Sequence, residues 1–469
     1  MRRRACLAFF AVLLAGCTVG PNYKRPPVAV PASFRAPQPL PPAQAASLAD
    51  LKWFELFKDD KLQDLIRKAL VANYDLRDAV ARVDAARANL GITRSYQFPN
   101  FAAGGAVYIN RLSRNGETPL PPELLSNQNR NFGTGVLQLL SFEIDIWGRL
   151  RRATEAARAN LLSADENRKA VITTLVSDVA TEYFTLRELD YTLGISQDTL
   201  QTRQESLDLT KQRQTGGVAT RLDLRQAEEL VYTAAETIPA IQNQIGQTEN
   251  QINLLLGQNP GGVTRGRSLT EQDLPPDVPA GLPSALLERR PDIRAAEQDL
   301  IAANAEIGVA KAAYFPDISL SGFLGGQSTQ LSSLFSGPES AWSLVPQVTQ
   351  PIFTAGRLKS NVRLAKAQRE HALVEYEQTI QTAFSEVSNA LIAHQRVRES
   401  REKQVALVAA LEDRKRLAYL RYRGGVDTQL NALDADRDLF QGQLDLAEIR
   451  LQELLSVVQL YKALGGGWQ

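Results

Sequence analysis

The chain has 469 residues with 53 Lys plus Arg against 52 Asp plus Glu, a near-neutral balance that points to neither nucleic acid nor a strongly acidic partner. Its two cysteines, Cys6 and Cys17, both lie at the N-terminus, and its two histidines are His371 and His394. A thiol enzyme, a His-based triad and a His/Cys zinc site are therefore all poorly supplied. Length alone would allow two or three domains, yet the sequence is duplicated, so the two halves are expected to be built alike within one structure.

Residues 1–16 run from Arg2-Arg3-Arg4 through a short apolar stretch to Leu14-Ala15-Gly16, directly before Cys17. The basic start and apolar segment read as an export signal, too short for a transmembrane helix of about 20 apolar residues. The small residues before Cys17 resemble those of bacterial lipoprotein precursors, which implies cleavage before Cys17 and a covalent lipid on its thiol. An ordinary signal peptide with a chance cysteine is the alternative. Thr18, where an Asp would favour retention in the inner membrane, implies the outer membrane, and several acyl chains anchor stably where one alone is marginal.

Residues 17–60 are read as a lipidated tether. Pro21, Pro26, Pro27, Pro31, Pro37, Pro39, Pro41 and Pro42 exclude helix and strand interiors there. Its start, Cys17-Thr18-Val19-Gly20-Pro21-Asn22-Tyr23-Lys24-Arg25-Pro26, closely resembles the start of mature outer-membrane efflux lipoproteins of the NodT/OprM type, within the TolC family. The resemblance continues through both repeats.

The first repeat, residues 61–257, opens with a helix from Lys61 to about Ser95 that stops at Phe98-Pro99. Strands follow at Phe101 to Asn110 and Phe132 to Trp147, with the clearest alternation at Phe142-Glu143-Ile144-Asp145-Ile146. Leu150 to Gln214 then reads as one helix, about 100 Å at 1.5 Å per residue. Ile172, Val179, Leu186, Leu193, Leu200 and Leu207 recur every seventh residue along it, the period of a supercoiled helix. Gln214-Thr215-Gly216-Gly217-Val218-Ala219-Thr220 is the tip of a hairpin: a glycine pair stops one helix and a Thr suited to N-capping opens the next, which runs to Leu256. Residues 258–283, rich in Gly and Pro, are read as an equatorial connector.

The second repeat, residues 284–464, has a helix from Ser284 to Tyr314, strands at Ile318 to Gln327 and Trp342 to Ile352, and a helix from Leu358 to Arg423. Its tip is Arg421-Tyr422-Arg423-Gly424-Gly425-Val426-Asp427-Thr428, and the last helix runs to Leu464 before a tail at 465–469. One offset relates Gly148, Gly216 and Gly257 to Gly356, Gly424 and Gly465. A slightly larger one relates Asp75, Arg77, Phe98 and Pro99 to Asp292, Arg294, Phe315 and Pro316, the extra residues of the first copy falling around Asn115 to Asn131.

Alternating strands would serve a half-buried sheet in a soluble protein, but behind a lipid anchor they are also about long enough to cross an outer membrane. Four strands cannot close a barrel, because known bacterial barrels start at about eight and an open edge in lipid leaves backbone groups unsatisfied. Two copies would pool eight strands and three would pool twelve; the family resemblance selects the homotrimer. The fold class expected is thus a membrane β-barrel joined to a long α-helical coiled-coil barrel, a trimeric channel-tunnel with four strands per protomer. The helix lengths suggest that Thr220 to Leu256 stacks end to end with Ser284 to Tyr314, and Thr428 to Leu464 with Lys61 to Ser95.

No phosphate-binding glycine loop and no His-Glu-x-x-His motif occurs, and the carboxylate pair Asp434 and Asp436 is read as part of a solvated helix face. No catalytic residue, metal site or cofactor is expected beyond the lipid on Cys17. The resemblance implies the outer-membrane duct of a tripartite efflux system, partnered by a periplasmic adaptor and an inner-membrane transporter of the resistance-nodulation-division type, and exporting drugs or other small toxic molecules. A duct for protein secretion or for metal efflux is the alternative. The resemblance also places adaptor docking at Gly216, Gly217, Val218, Gly424, Gly425 and Val426. It places a periplasmic gate at Leu430 and Asp434, four apart on one helix face, with Arg437 and Tyr422 tying helices together.

Overall fold

Proline and glycine punctuate two closely matched runs of elements. A computed structural model of the chain describes residues 18–37, 47–111, 113, 129–272 and 279–468. The first run comprises α1 (Asp60–Ala72), α2 (Tyr74–Ser95), β1 (Phe101–Arg111), β2 (Asn129–Glu143), the 67-residue α3 (Arg149–Thr215) and the 35-residue α4 (Arg221–Leu255). The second comprises α5 (Pro283–Arg289), α6 (Pro291–Ala312), β3 (Asp317–Ser328), β4 (Ser340–Thr349), the 67-residue α7 (Arg357–Arg423) and the 35-residue α8 (Gln429–Ala463).

The helices expected as single pieces at 61–95 and 284–314 are each broken once. At Asn73 the side chain accepts from Leu76 N at 3.0 Å and starts a new helix. At Arg290 the following Pro291 disfavours the helical conformation of its predecessor, which is extended with ψ 120. Strand β2 ends at Glu143, short of Trp147, and β4 ends at Thr349, before the Pro351 that cannot donate to a ladder.

The chain forms two compact units. One consists of Met1–Pro26, Val83–Ser163 and Ala296–Tyr376. Among the described residues its four strands form one antiparallel sheet in the order β1-β2-β3-β4, with β1 and β4 at the edges. The registers put Phe101, Val107 and Ile109 of β1, Leu137 of β2, Leu324 of β3 and Trp342, Leu344 and Val348 of β4 on one face, all exposed. The opposite face is mixed, with Thr134, Gln138, Ser321, Ser343 and Gln347 beside Tyr108, Phe132, Phe323 and Val345. Sheets that bury one face against a protein core leave the polar face exposed; here the more apolar face is exposed, and so are Tyr108, Phe323 and Val345 of the other. In the same unit α3 and α6 approach through Ala156, Ala159, Ala302 and Ala305, side chains small enough to bring the backbones close. The extended segment after Thr18 is tied to them: Val19 N donates to Trp147 O at 3.0 Å, Asn304 Nδ2 to Pro21 O at 3.0 Å and Tyr23 Oη to Glu297 Oε1 at 3.0 Å.

The other unit consists of Pro27–Arg82, Ala164–Ala295 and Glu377–Gln469. Its core gathers Phe57, Phe184 and Tyr461, with ring centroids 6.1 Å and 6.3 Å from Phe57, and the buried Tyr183. Burial pushes the Asp59 carboxyl up, but hydrogen bonds from Gln272, Tyr183, Arg267 N and Lys61 N outweigh it and hold the group below the usual carboxylate range.

The stacking of helices is exchanged relative to expectation. Gly257, at φ +64, lies so close to Ala72 that an added Cβ would be 2.5 Å from Ala72 O, and Asn73 Nδ2 donates to Leu255 O at 3.0 Å. The end of α4 therefore abuts the α1–α2 break. Correspondingly, Arg290 Nη1 donates to Ala463 O at 3.0 Å and Gly465 lies against Arg289 and Arg290, so α8 ends on the α5–α6 break. Both junctions use the last free carbonyls of one helix as acceptors for the side chain at the other's start. Among the described residues no helix is long and apolar enough to cross a membrane.

Candidate functional site

The two glycine tips turn by the same device. At the first, Gly217 has φ +78 while Gly217 N and Val218 N donate to Gln214 O and Arg213 O at 3.0 and 2.9 Å. At the second, Gly425 has φ +72 while Gly425 N and Val426 N donate to Tyr422 O and Arg421 O, both at 3.1 Å. A left-handed residue closing the last turn in this way is a helix C-cap for which glycine is the favoured residue. Thr220 then caps α4, accepting from Asp223 N, and Thr428 caps α8, accepting from Asn431 N. Gly216, Gly217, Gly424 and Gly425 are all exposed, and Val218 and Val426 stand out at 73% and 68% exposure. The two tips thus present an apolar residue each on a rigid turn.

The tips are joined just behind these turns. The Arg213 guanidinium stacks over the Tyr422 ring at 4.8 Å, and Gln429 Nε2 donates to Thr210 Oγ1 at 3.0 Å. Tyr422 Oη donates to Gln429 Oε1 at 3.3 Å, so Tyr422 ties α7 to both α8 and α3. Leu430 is 48% exposed, and Asp434, on the same face, takes an ion pair from Arg437 at 3.2 Å. Among the described residues, Arg437 pairs within its own helix, being also 3.6 Å from Asp438. The structure therefore gathers Leu430, Asp434 and Arg437 on one exposed stripe of α8, with Tyr422 apart from them.

Asp436 does not belong to the solvated face on which it was expected with Asp434. Its side chain is 2% exposed and accepts from Arg203 Nε at 2.8 Å and Lys415 Nζ at 2.5 Å. Residues two apart on a helix point to different sides, so Asp434 and Asp436 were bound to have different surroundings. Arg203 Nη1 donates to Leu230 O at 2.9 Å, and the guanidinium stacks over Phe440 at 5.0 Å. One buried pair thus connects α3, α4, α7 and α8. Tyr419 of the same cluster has its hydroxyl pKa pushed up by burial and by the Asp436 charge.

Cys17 lies outside the described residues. His371 is exposed beside Glu375, whereas His394 is half-buried with Nδ1 2.8 Å from Ser456 Oγ.

A sheet that bares a face apolar except for Arg111 at the end of β1, carried by long helical hairpins, defines a protein of outer-membrane channels, where strands rather than helices meet the lipid. The family model for outer membrane efflux proteins matches residues 65–258 and 282–466. The antibiotic efflux pump outer membrane protein ArpC of Pseudomonas putida is 39% identical over 98% of this chain and 95% of its own length. The cation efflux system protein CusC of Escherichia coli is 35% identical over 98% and 97%. The crystal structure of the open state of the Neisseria gonorrhoeae MtrE outer membrane channel superposes with a TM-score of 0.87 at 32% identity, covering 97% of this chain and 99% of that one. The chain belongs to the outer membrane efflux protein family, and it is an outer-membrane efflux channel component.

Proposed function

We propose that this chain is the exit duct of a tripartite efflux system, assembled as a homotrimer whose twelve strands close one barrel through the outer membrane. The observation that carries the joining of several copies is the sheet itself: four strands, a face apolar except for Arg111 at the end of β1, and two edges with unpaired backbone groups, while three copies rather than two follow from the likeness to the family. Lipid tolerates no open edge, so β1 must meet a β4 from another copy. The long helices would pool in the same way into a periplasmic tunnel. Substrate passes through without chemistry, so no catalytic residue or cofactor has a part.

Three copies would bring three Leu430 and three Asp434 side chains toward one axis, an apolar ring beside an acidic one. Such a ring narrows the periplasmic mouth, favours cations and lets an apolar constriction resist wetting. The exposed tips at Gly216-Gly217-Val218 and Gly424-Gly425-Val426 are where a periplasmic adaptor would dock. Acylation of Cys17 would anchor the N-terminus in the outer membrane. The inner-membrane transporter, of the resistance-nodulation-division type, would choose the cargo, drugs or other small toxic molecules.

A second reading, export of metal cations, is favoured by the likeness to CusC. Against it, the only methionine is Met1, so the duct offers no thioether ligands to a soft ion. Expression in a strain lacking its own duct, with the neighbouring adaptor and transporter supplied, tests both. Restored tolerance to antibiotics or solvents supports the first reading and restored tolerance to cations alone the second. Restored tolerance to neither, with a trimer present in the outer membrane, contradicts both.

A further inference from the structure

Between β3 and β4 the chain folds back onto the apolar face of the sheet. Leu334 is buried against the strands there. A Cβ added at Gly135 would meet Phe335 Cζ at 2.9 Å, and one at Gly326 would meet Leu334 O at 1.7 Å, so the turn can seat only on glycine. The register pairs Gly135 with Gly326, in the same row as Leu137 and Leu324. The hydroxyls of Ser328 and Ser333, 2.7 Å apart, and Ser336 Oγ donating to Ser333 O at 2.7 Å hold the turn closed.

With Leu334 turned in, Leu331 and Phe335 are turned out, at 84% and 79% exposure. Beside it lies a groove of about 650 Å³ lined by Ala103, Gly105, Gly135, Leu137, Leu324 and Phe335, among others, with no charged side chain. The groove is continuous with the apolar strand face, whose one charge among the described residues, Arg111, lies at the end of β1. Trp342, in the row next to Ser340 at the groove's edge, supplies the kind of aromatic side chain that collects at membrane boundaries.

We propose that the turn and groove form a lipid seat: an acyl chain of the surrounding membrane occupies the groove beside the seated turn, over Ala103, Gly105, Leu137 and Leu324, and Leu331 and Phe335 enter the hydrocarbon of the leaflet at the β3–β4 end of the sheet. This rests on the reading of the sheet as a membrane span. A second copy of the chain is not the occupant, because strands from neighbouring copies add at the edges, through backbone hydrogen bonds, and leave this face free. The seat would fix the outer end of the sheet at one depth in the bilayer, as interfacial anchors fix the ends of membrane helices.

The test uses the full chain with Leu324→Cys or Phe335→Cys, each carrying a thiol-linked environment-sensitive fluorophore and reconstituted into phosphatidylcholine vesicles containing nitroxide lipids. The parent chain, whose cysteines are Cys6 and Cys17, gives the background. The probe at 335 is expected to be shielded from aqueous iodide and quenched severalfold more by a nitroxide near the head group than by one deep in the acyl chain. Gly326→Val, which unseats the turn, should restore iodide quenching at 335. Lipid quenching at 324 together with free iodide access at 335 would overturn the seat and leave the membrane span standing. Iodide access at both positions would overturn both.

Discussion

Arg203 Nε donates to Asp436 Oδ2 at 2.8 Å, with both side chains almost wholly buried, and this pair is a buried fastening between the two helical hairpins. Lys415 Nζ completes the cluster. Removing one partner of a buried pair leaves an uncompensated charge and costs about 3–5 kcal/mol, whereas an exposed pair is worth about 0–1 kcal/mol. Asp436→Ala should therefore lower the melting point of the helical region markedly and Asp434→Ala hardly at all, as read by circular dichroism. Equal shifts for the two variants would contradict this assignment.

How the hairpins would turn was legible beforehand, because a glycine pair followed by a Thr specifies a cap on each side of a break. The role of Asp436 was not. Its partners Arg203 and Lys415 are remote in sequence, and only the two-residue spacing from Asp434 hinted that one carboxylate faces inward. Helix stacking was misassigned because the candidate partners have similar lengths, so length could not choose between them. The pairing is instead settled by single contacts, Gly257 on Ala72 and Arg290 on Ala463. The seat of the β3–β4 turn was equally hidden, since Gly135 and Gly326 become neighbours only through the register of β2 and β3.

The exchanged stacking makes its own prediction. Gly257→Ala forces a side chain into a left-handed backbone and against Ala72 O, and should destabilise by at least about 1–2 kcal/mol from the backbone term alone. Gly246→Ala, in the interior of α4 with nothing within 4 Å, should be neutral or stabilise by up to about 1 kcal/mol. Chemical denaturation of the two variants beside the parent chain distinguishes them.

His394 gives a pH dependence. Burial, reinforced by Arg398, holds its imidazole below the usual value, so it stays neutral when folded, with a buried Nε2 that has no partner among the described residues. The unfolded chain takes up a proton near pH 6.5. Stability from this group is accordingly full above about pH 6.5 and declines as pH falls from there toward the lowered folded value. The difference between parent and His394→Gln melting points should shrink across that window; a difference independent of pH would remove His394 from the account.

The tips should tolerate change structurally but not functionally. A Cβ at Gly217 or Gly425 meets nothing within 4 Å, so bulky substitutions there strain only the local turn. Gly217→Val and Gly425→Val are expected to leave trimers intact on native gels and to abolish export in the complemented strain. Retained export, or crosslinking of the adaptor to residues 258–283 instead, would move the docking site.

Three copies closing one duct, with Leu430 and Asp434 narrowing its mouth, would make the assembled protein an ion-conducting pore. Single-channel recording of purified protein in planar bilayers tests it directly. Discrete openings from trimers are expected, cation-selective in the parent chain, with higher conductance and weaker cation selectivity in Asp434→Ala and in Leu430→Ala/Asp434→Ala. Correctly assembled trimers that conduct identically in parent and double variant would contradict it.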